Sequence, residues 1–445
     1  MPNWCLRTYM VRIHWTDVAD DAAMPVGWRL PSLILATLFL NIFFWYVPAN
    51  HFSFTGSPAI YCFSLGIVTG LVLLLFFLGP ALSAHAAQCS LFQVAEASFG
   101  QIPGLAFRLC CAALCVLWIA GMCASLALAF LRFIFNRDFP VTEAVLLSGL
   151  LVAFLFVTGL QGLRTSAKLA FFTNKLGMAL LIAAAIRVRA FLGDAWIDLH
   201  GSGAMPDSVW LRVAEPLMIV APMALLASDF GSRSRTRKDV ALIGVFGLAL
   251  PMAFILFAVS LIQRAAYHWR MDLGGLANIL LALWGGDSRW YQPQWMLLAL
   301  ITSFGVARFS VRMCNAALSP ITENRKARLC MLAAAAIAAT AISAGRFQVF
   351  DMEAAARFAA SAAAIITADR VVKRSRPQHV RMVDWGSLIS FLAGWAGGQW
   401  LASWAGSSYE PQLAASILTS YATSFTVALA GRAIQRSAKS LYPTV

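Results

Sequence analysis

Apolar residues in this chain fall in long runs separated by short polar stretches. They do not show the strict alternation of strands or the narrow stripes of helices packed in water. A helix needs about 20 apolar residues to cross a bilayer core. Twelve runs approach or exceed that length: 30–50, 58–80, 104–131, 141–160, 168–190, 210–228, 240–263, 294–318, 328–345, 347–369, 385–405 and 410–432. The ninth and tenth are alanine-rich and the least pronounced. Helices are expected throughout, because backbone polar groups in hydrocarbon must be satisfied within the segment. The fold class predicted is an all-α polytopic membrane protein with about twelve transmembrane helices.

The polar stretches carry a second pattern. When the connections are numbered in order, all six lysines fall on one side of the membrane: Lys168, Lys175, Lys238, Lys326, Lys373 and Lys439. That side also holds "RSRTRKD" (233–239), "ENRKAR" (323–328) and "DRVVKRSRPQHVR" (369–381). The opposite connections pair arginines with acids, as at Arg137 and Asp138, Arg270 and Asp272, and Asp287 and Arg289. The positive-inside rule then places both termini in the cytoplasm, which requires an even number of spans. The start, "MPNWCLRTYMVRIHWTDVADD", is polar and of mixed charge; it reads as a cytoplasmic tail and not as a signal peptide. Most basic clusters need no role beyond setting topology and touching anionic lipid.

Composition agrees. Of 445 residues, 60% are hydrophobic and 12% charged, against about 25% charged in soluble domains; the mean hydropathy is +0.73. The net charge of +14 is dispersed over connections and gathers into no basic domain, so no nucleic-acid partner is expected. The nine cysteines sit mostly within apolar runs, as in "LCCAALC" (109–115), and read as small buried hydrophobes. The spans hold almost no acids, and the six histidines are scattered. No metal, cofactor or enzymatic constellation is therefore expected.

One apolar run breaks the pattern. The eighth contains "FGVARFSVRM" (304–313), with Arg308 and Arg312 four residues apart on one helix face. The helix would run from outside to inside and end near Ser319. At about 1.5 Å per residue, Arg312 lies roughly 10 Å from that end and Arg308 roughly 16 Å. Arg312 can snorkel to the headgroups; Arg308 cannot do so unaided. A charge at the hydrocarbon centre costs at least about 3 kcal/mol. The face is therefore expected to line protein or water. Three readings stay open: a fixed charge replacing a coupling cation, an anion-binding pair, or an internal salt bridge with Asp229 or Asp369.

Three longer stretches carry a resemblance. "LSAHAAQCSLFQVAEASFGQIPG" (82–104) follows the second span, "ASDFGSRSRTRKDVALIGVFG" (227–247) leaves the sixth, and "AAAIITADRVVKRSRPQHVRMVDWGSLISFLAGWAGG" (362–398) joins the tenth to the eleventh. In this order and spacing they resemble the nucleobase:cation symporter-1, or purine–cytosine permease, family. The resemblance implies two inverted five-helix repeats plus two peripheral helices. The boundaries would be a tail over 1–29, repeats over 30–192 and 193–370, peripheral helices over 371–432, and a tail over 433–445.

It also implies a first and a sixth helix interrupted at the midplane. Asn41 and Pro48 in the one, and Pro216 and Pro222 in the other, are the matching sequence features. Substrate would lie between these and the third, eighth and tenth helices. The residues carried over for it are Asn41, Trp118, Ser310, Arg312 and Asn315, with Ser303 and Arg308 at the ion position. The pattern departs from the family in two places. The sixth helix lacks an aromatic residue for stacking, and arginines stand where the eighth usually carries hydroxyls for sodium. "GWAGGQW" (394–400) offers a small-residue face, more suited to packing within the chain than to dimerisation.

The implied function is a plasma (inner) membrane permease moving a small polar or heterocyclic solute by alternating access. It would need no cofactor and would be proton-coupled or sodium-independent. A non-transporting sensor or biogenesis protein with a degenerate transporter fold is the rival. Oligomeric state is left open.

Overall fold

The computed structural model describes residues 27–39, 59–135, 141–159, 163–192, 217, 220–268, 292–318, 321, 324–343, 352–372, 382–404 and 409–441. Among these residues the structure is nearly all helical and contains no β-strand. The first span is α1 (Arg29–Phe39) and the second α2 (Ala59–Ala87). After a short α3 (Leu91–Phe99) come α4 (Gln101–Phe135), α5 (Val141–Gly159) and α6 (Leu163–Leu192), the third to fifth spans. The sixth span is described over 220–227 and ends in a 3-10 turn, Ser228–Arg233. The seventh is α7 (Arg237–Gly244), a π turn (Val245–Ala249) and α8 (Leu250–His268). Spans eight to twelve are α9 (Gln292–Leu318), α10 (Asn324–Ser343), α11 (Met352–Val372), α12 (Trp385–Trp404) and α13 (Tyr409–Leu441). Each predicted run thus coincides with a helix in the described residues. Four of them are long and apolar enough to cross a bilayer.

The helices pack in two groups. One joins α1 and α2 to the 3-10 turn, α7, the π turn and α8; the other joins α4 and α5 to α9 and α10. In span numbers these are 1, 2, 6 and 7 against 3, 4, 8 and 9. A shift of five maps each group onto itself, as two five-helix repeats require. The last three helices form a third bundle, α12 and α11 both lying against α13, and α11 packs on α2 as well, where Gly79 abuts Thr367. There "GWAGGQW" packs within the chain: Gly394 abuts Ser424, and Gly398 abuts Ser420 and Ser416. Helix α13 also continues to Leu441, through most of the expected C-terminal tail.

The stretch 82–104 differs from the open connection the sequence suggests. Helix α2 runs on through His85, the chain reverses at Gln88 (φ 51°), and nine residues form α3. The cause is a capping box. Ser90 Oγ accepts from Gln93 N, and Gln93 Oε1 accepts from Ser90 N at 3.0 Å. Two orphan donors at the helix start are thereby satisfied. At the far end Gly100 adopts φ +97°, a conformation that disfavours other residues, and α4 begins at once.

Candidate functional site

Helix α9, of the second group, also meets α1 of the first and α6. Arg308 is 7% exposed, so its guanidinium is held in protein and does not reach toward lipid. It borders a cavity of about 10 Å³ between α1, α6 and α9, lined also by Ile34, Thr37, Ala170, Thr173 and Gly305. That is roughly the room one water molecule needs. Glycine at 305 is what allows α1 so near: a Cβ there would stand 2.5 Å from Thr37 Cβ.

The hydroxyls around this cavity have already used their protons. Thr37 donates to Ile34 O on its own helix. Thr173 donates to Leu169 O at 2.9 Å, with Ala170 O at 3.2 Å. What each hydroxyl can still offer is lone pairs. Beside them Asn174 Nδ2 donates to Leu33 O at 2.8 Å, tying α6 to α1, and Asn174 is 7% exposed. The surroundings of Arg308 therefore suit a positive charge, and the guanidinium supplies one.

Around α9, Arg312 lies about 40° and Asn315 about 20° from Arg308, so the three share a face. The Arg312 guanidinium sits 5.7 Å over the ring of Phe230 from the 3-10 turn, and Phe230 stacks on Phe309 at 6.4 Å. Asn315 is buried beneath. Ser303 and Ser310 are fully buried but lie about 140° and 160° round the helix from Arg308. The α9 surface near Ser310 meets α4, where Cys314 Sγ is 3.7 Å from Ala112 O. The structure thus brings Arg308, Arg312 and Asn315 together and sets both serines apart from them.

Trp118 is half-buried on α4. The two helices run antiparallel, with Ala112 opposite Cys314 and Arg108 Nη1 3.5 Å from Ala316 O. Six residues on from Ala112, Trp118 is level with Arg308, six residues back from Cys314. Asn41, Pro48 and Pro216 lie outside the described residues, as do Arg137, Arg270 and Arg289 with their acids. The acids weighed as partners for Arg308 make bonds elsewhere. Asp229 Oδ1 accepts from Leu91 N at 2.9 Å, and Asp369 pairs with Arg432 at 2.8 Å.

Thr37, Thr173 and Asn174 escaped the sequence reading. The adjacent pair in "FFTNKL" (171–176), two polar residues inside an apolar span, was the signal available. Arg108, 2% exposed and paired at 2.6 Å with the half-buried Glu96, was likewise missed.

The whole chain aligns with solved transporters. It is similar to Mhp1, a nucleobase-cation-symport-1 family transporter, in a closed conformation with bromovinylhydantoin bound: TM-score 0.73, 14% identity, 94% of each chain covered. Against inward-facing Mhp1 the TM-score is 0.69, at 14% identity over 93% of each chain. A Na+-coupled sialic acid symporter in a substrate-bound outward-open state gives 0.63, at 12% identity over 94% of this chain and 93% of that one. No protein-family model and no curated protein matches the sequence. At such identities the likeness establishes the fold, which is the one the resemblance implied.

Proposed function

We propose that the chain is a secondary active transporter of the cytoplasmic membrane, with both termini inside, moving a small polar or heterocyclic solute by alternating access. In this reading Arg308 holds a permanent charge where a relative would bind a coupling cation, so transport is sodium-independent. The observation that carries it is the buried Arg308 beside a one-water cavity at the junction of α1, α6 and α9, where Thr37 and Thr173 can offer only acceptors. The likeness to symporters over the whole chain length supports the transport class. Arg312, Asn315, Trp118 and the undescribed Asn41 are the proposed solute-binding residues. Arg308 with Arg312 as an anion-binding pair is the weaker alternative, because the threonine protons are committed to carbonyls.

The test starts from purified protein, screened by thermal shift against nucleobases, ureides, vitamins and organic anions, with sodium or choline as the cation. A specific ligand raises the midpoint by mass action. Uptake of that compound into proteoliposomes should be indifferent to sodium. Arg308→Ala should abolish it or make it sodium-dependent, while Lys238→Ala on the basic connection should do neither. Equal, near-normal uptake by both variants would remove the charge-substitution mechanism. A blank screen would favour the non-transporting rival.

A further inference from the structure

The 3-10 turn after the sixth span belongs to the group of α1 and α2, and reaches beyond it to α3 and to α9 of the other group. Its Asp229 accepts a hydrogen bond from Leu91 N, the first residue of α3, at 2.9 Å. Its Phe230 stacks on Phe309 of α9 and has the Arg312 guanidinium over its ring. Asp229 and Phe230 are both buried. They lie on the cytoplasmic side of Arg308, between the cavity and the inner end of α9 near Leu318. We propose that this turn is the inner gate, with Asp229 as its latch and α3 as the fixed post on which it closes. The proposal rests on the transporter reading for its purpose.

The two ends of α3 are held very differently, and this decides which partner moves. Its C-terminal end is bound to the α12 region and α13 several times over. Asp384 N donates to Phe99 O at 2.9 Å, and Ile102 N donates to Met382 O at 3.1 Å. Ser387 Oγ donates to Ser98 O at 2.7 Å, and Arg432 joins the same carbonyl and both Asp369 and Asp384. Midway, Glu96 pairs with Arg108 on α4 at 2.6 Å. At the N-terminal end the turn supplies one hydrogen bond, from Asp229 to Leu91 N, and Cys89 N, just ahead of α3, donates to Ala84 O of α2 at 3.3 Å. The Ser90–Gln93 capping box satisfies the neighbouring donors from within α3 itself. Breaking the Asp229 bond therefore leaves α3 intact, with one N–H turned to cytoplasmic water. The turn itself packs chiefly on α2 and would leave with that group. Opening then costs this hydrogen bond, the Phe230 contacts and part of the packing of α2 on α11, where Gly79 abuts Thr367 and Arg370 donates to Leu82 O.

The test needs no substrate, so its outcome is separable from that of the uptake screen. Asn315, buried on the α9 face below Arg308, is replaced by cysteine as reporter. Its modification by a membrane-impermeant maleimide is followed in inside-out vesicles, against the same chain lacking the reporter. Asp229→Ala should raise the rate on the order of fivefold, the loss of one net hydrogen bond. Asp229→Asn keeps an acceptor oxygen and should stay near the parent rate. Phe230→Ala, which leaves the α3 bond in place, should also raise it and serves if Asp229→Ala does not fold. Unchanged labelling in the folded alanine variants would overturn the gate. An equal rise in Asp229→Asn and Asp229→Ala would overturn the latch.

Discussion

Four of the described arginines are at least nine-tenths buried: Arg108, Arg308, Arg357 and Arg432. Each is placed in a way that offsets part of the cost of taking a charge out of water. Arg357 lies 5.4 Å over the Trp395 ring and donates to Gln399 Oε1. Arg108 has Glu96 at 2.6 Å and the Phe92 ring at 5.4 Å. Glu96→Ala strips a buried guanidinium of its counter-charge and should cost about 2 kcal/mol, less than for a fully buried pair because Glu96 is partly exposed. Adding Arg108→Met should recover most of that loss, and a double-mutant cycle by thermal unfolding in detergent measures both. Gly305→Ala is a second residue-scale test. Its new methyl meets Thr37 Cβ, so α1 must retreat, at about 1–3 kcal/mol of overpacking. The Arg308→Ala double variant should recover part of that, since space opens beside the same contact. Arg308 and Arg312 were legible in the sequence because charges contrast with an apolar run. Thr37 and Thr173 were not, since a threonine bonding its own helix leaves no trace in composition.

At the scale of elements, the spans were legible for a simple physical reason: hydrocarbon demands length and apolarity together, and both are read directly from the chain. Helix α3 was lost to the same criterion, because nine residues cannot cross a bilayer and so appear as connection. Its own signal was local, a Ser-x-x-Gln start and a glycine stop at Gly100. Removing the cap with Ser90→Ala should cost about 1 kcal/mol. Amides at the start of α3 should then exchange about fivefold faster, while those near Phe99, held by Asp384 and Arg432, stay as slow as before. Uniform acceleration along the helix would mean that α3 is not anchored at its C-terminal end. Of the prolines that suggested breaks in the first and sixth helices, Pro48 and Pro216 fall where the chain is not described, while the helix described over 220–227 runs on through Pro222.

Over the whole molecule, packing separates two helix groups offset by five spans; the Arg308 cavity lies where α1 of one and α9 of the other meet α6, and the Asp229 contact joins the first group to α3. This partition was legible only through resemblance. Periodicity reports which residues avoid water, not which apolar face meets which, and in lipid every face is apolar. The peripheral bundle is where the two views meet. Arg432, in the C-terminal part of α13, reaches Asp369 of α11 at 2.8 Å and Asp384 ahead of α12 at 2.6 Å, and donates to Ser387 Oγ at 2.8 Å. One guanidinium thus joins the last three helices to the post of the proposed gate. Arg432→Met keeps the apolar stem but removes the charge facing Asp384, which is 6% exposed. A loss of about 3–5 kcal/mol is expected, as for breaking a buried pair. It should appear in thermal unfolding and as faster exchange across 98–104 and 385–404. Adding Asp384→Asn should restore part of the loss by removing the stranded charge. If Arg432→Met unfolds like the parent, the peripheral helices are not held through this hub. The fixed post of the gate would then have to be sought in α4 and its Glu96–Arg108 pair instead.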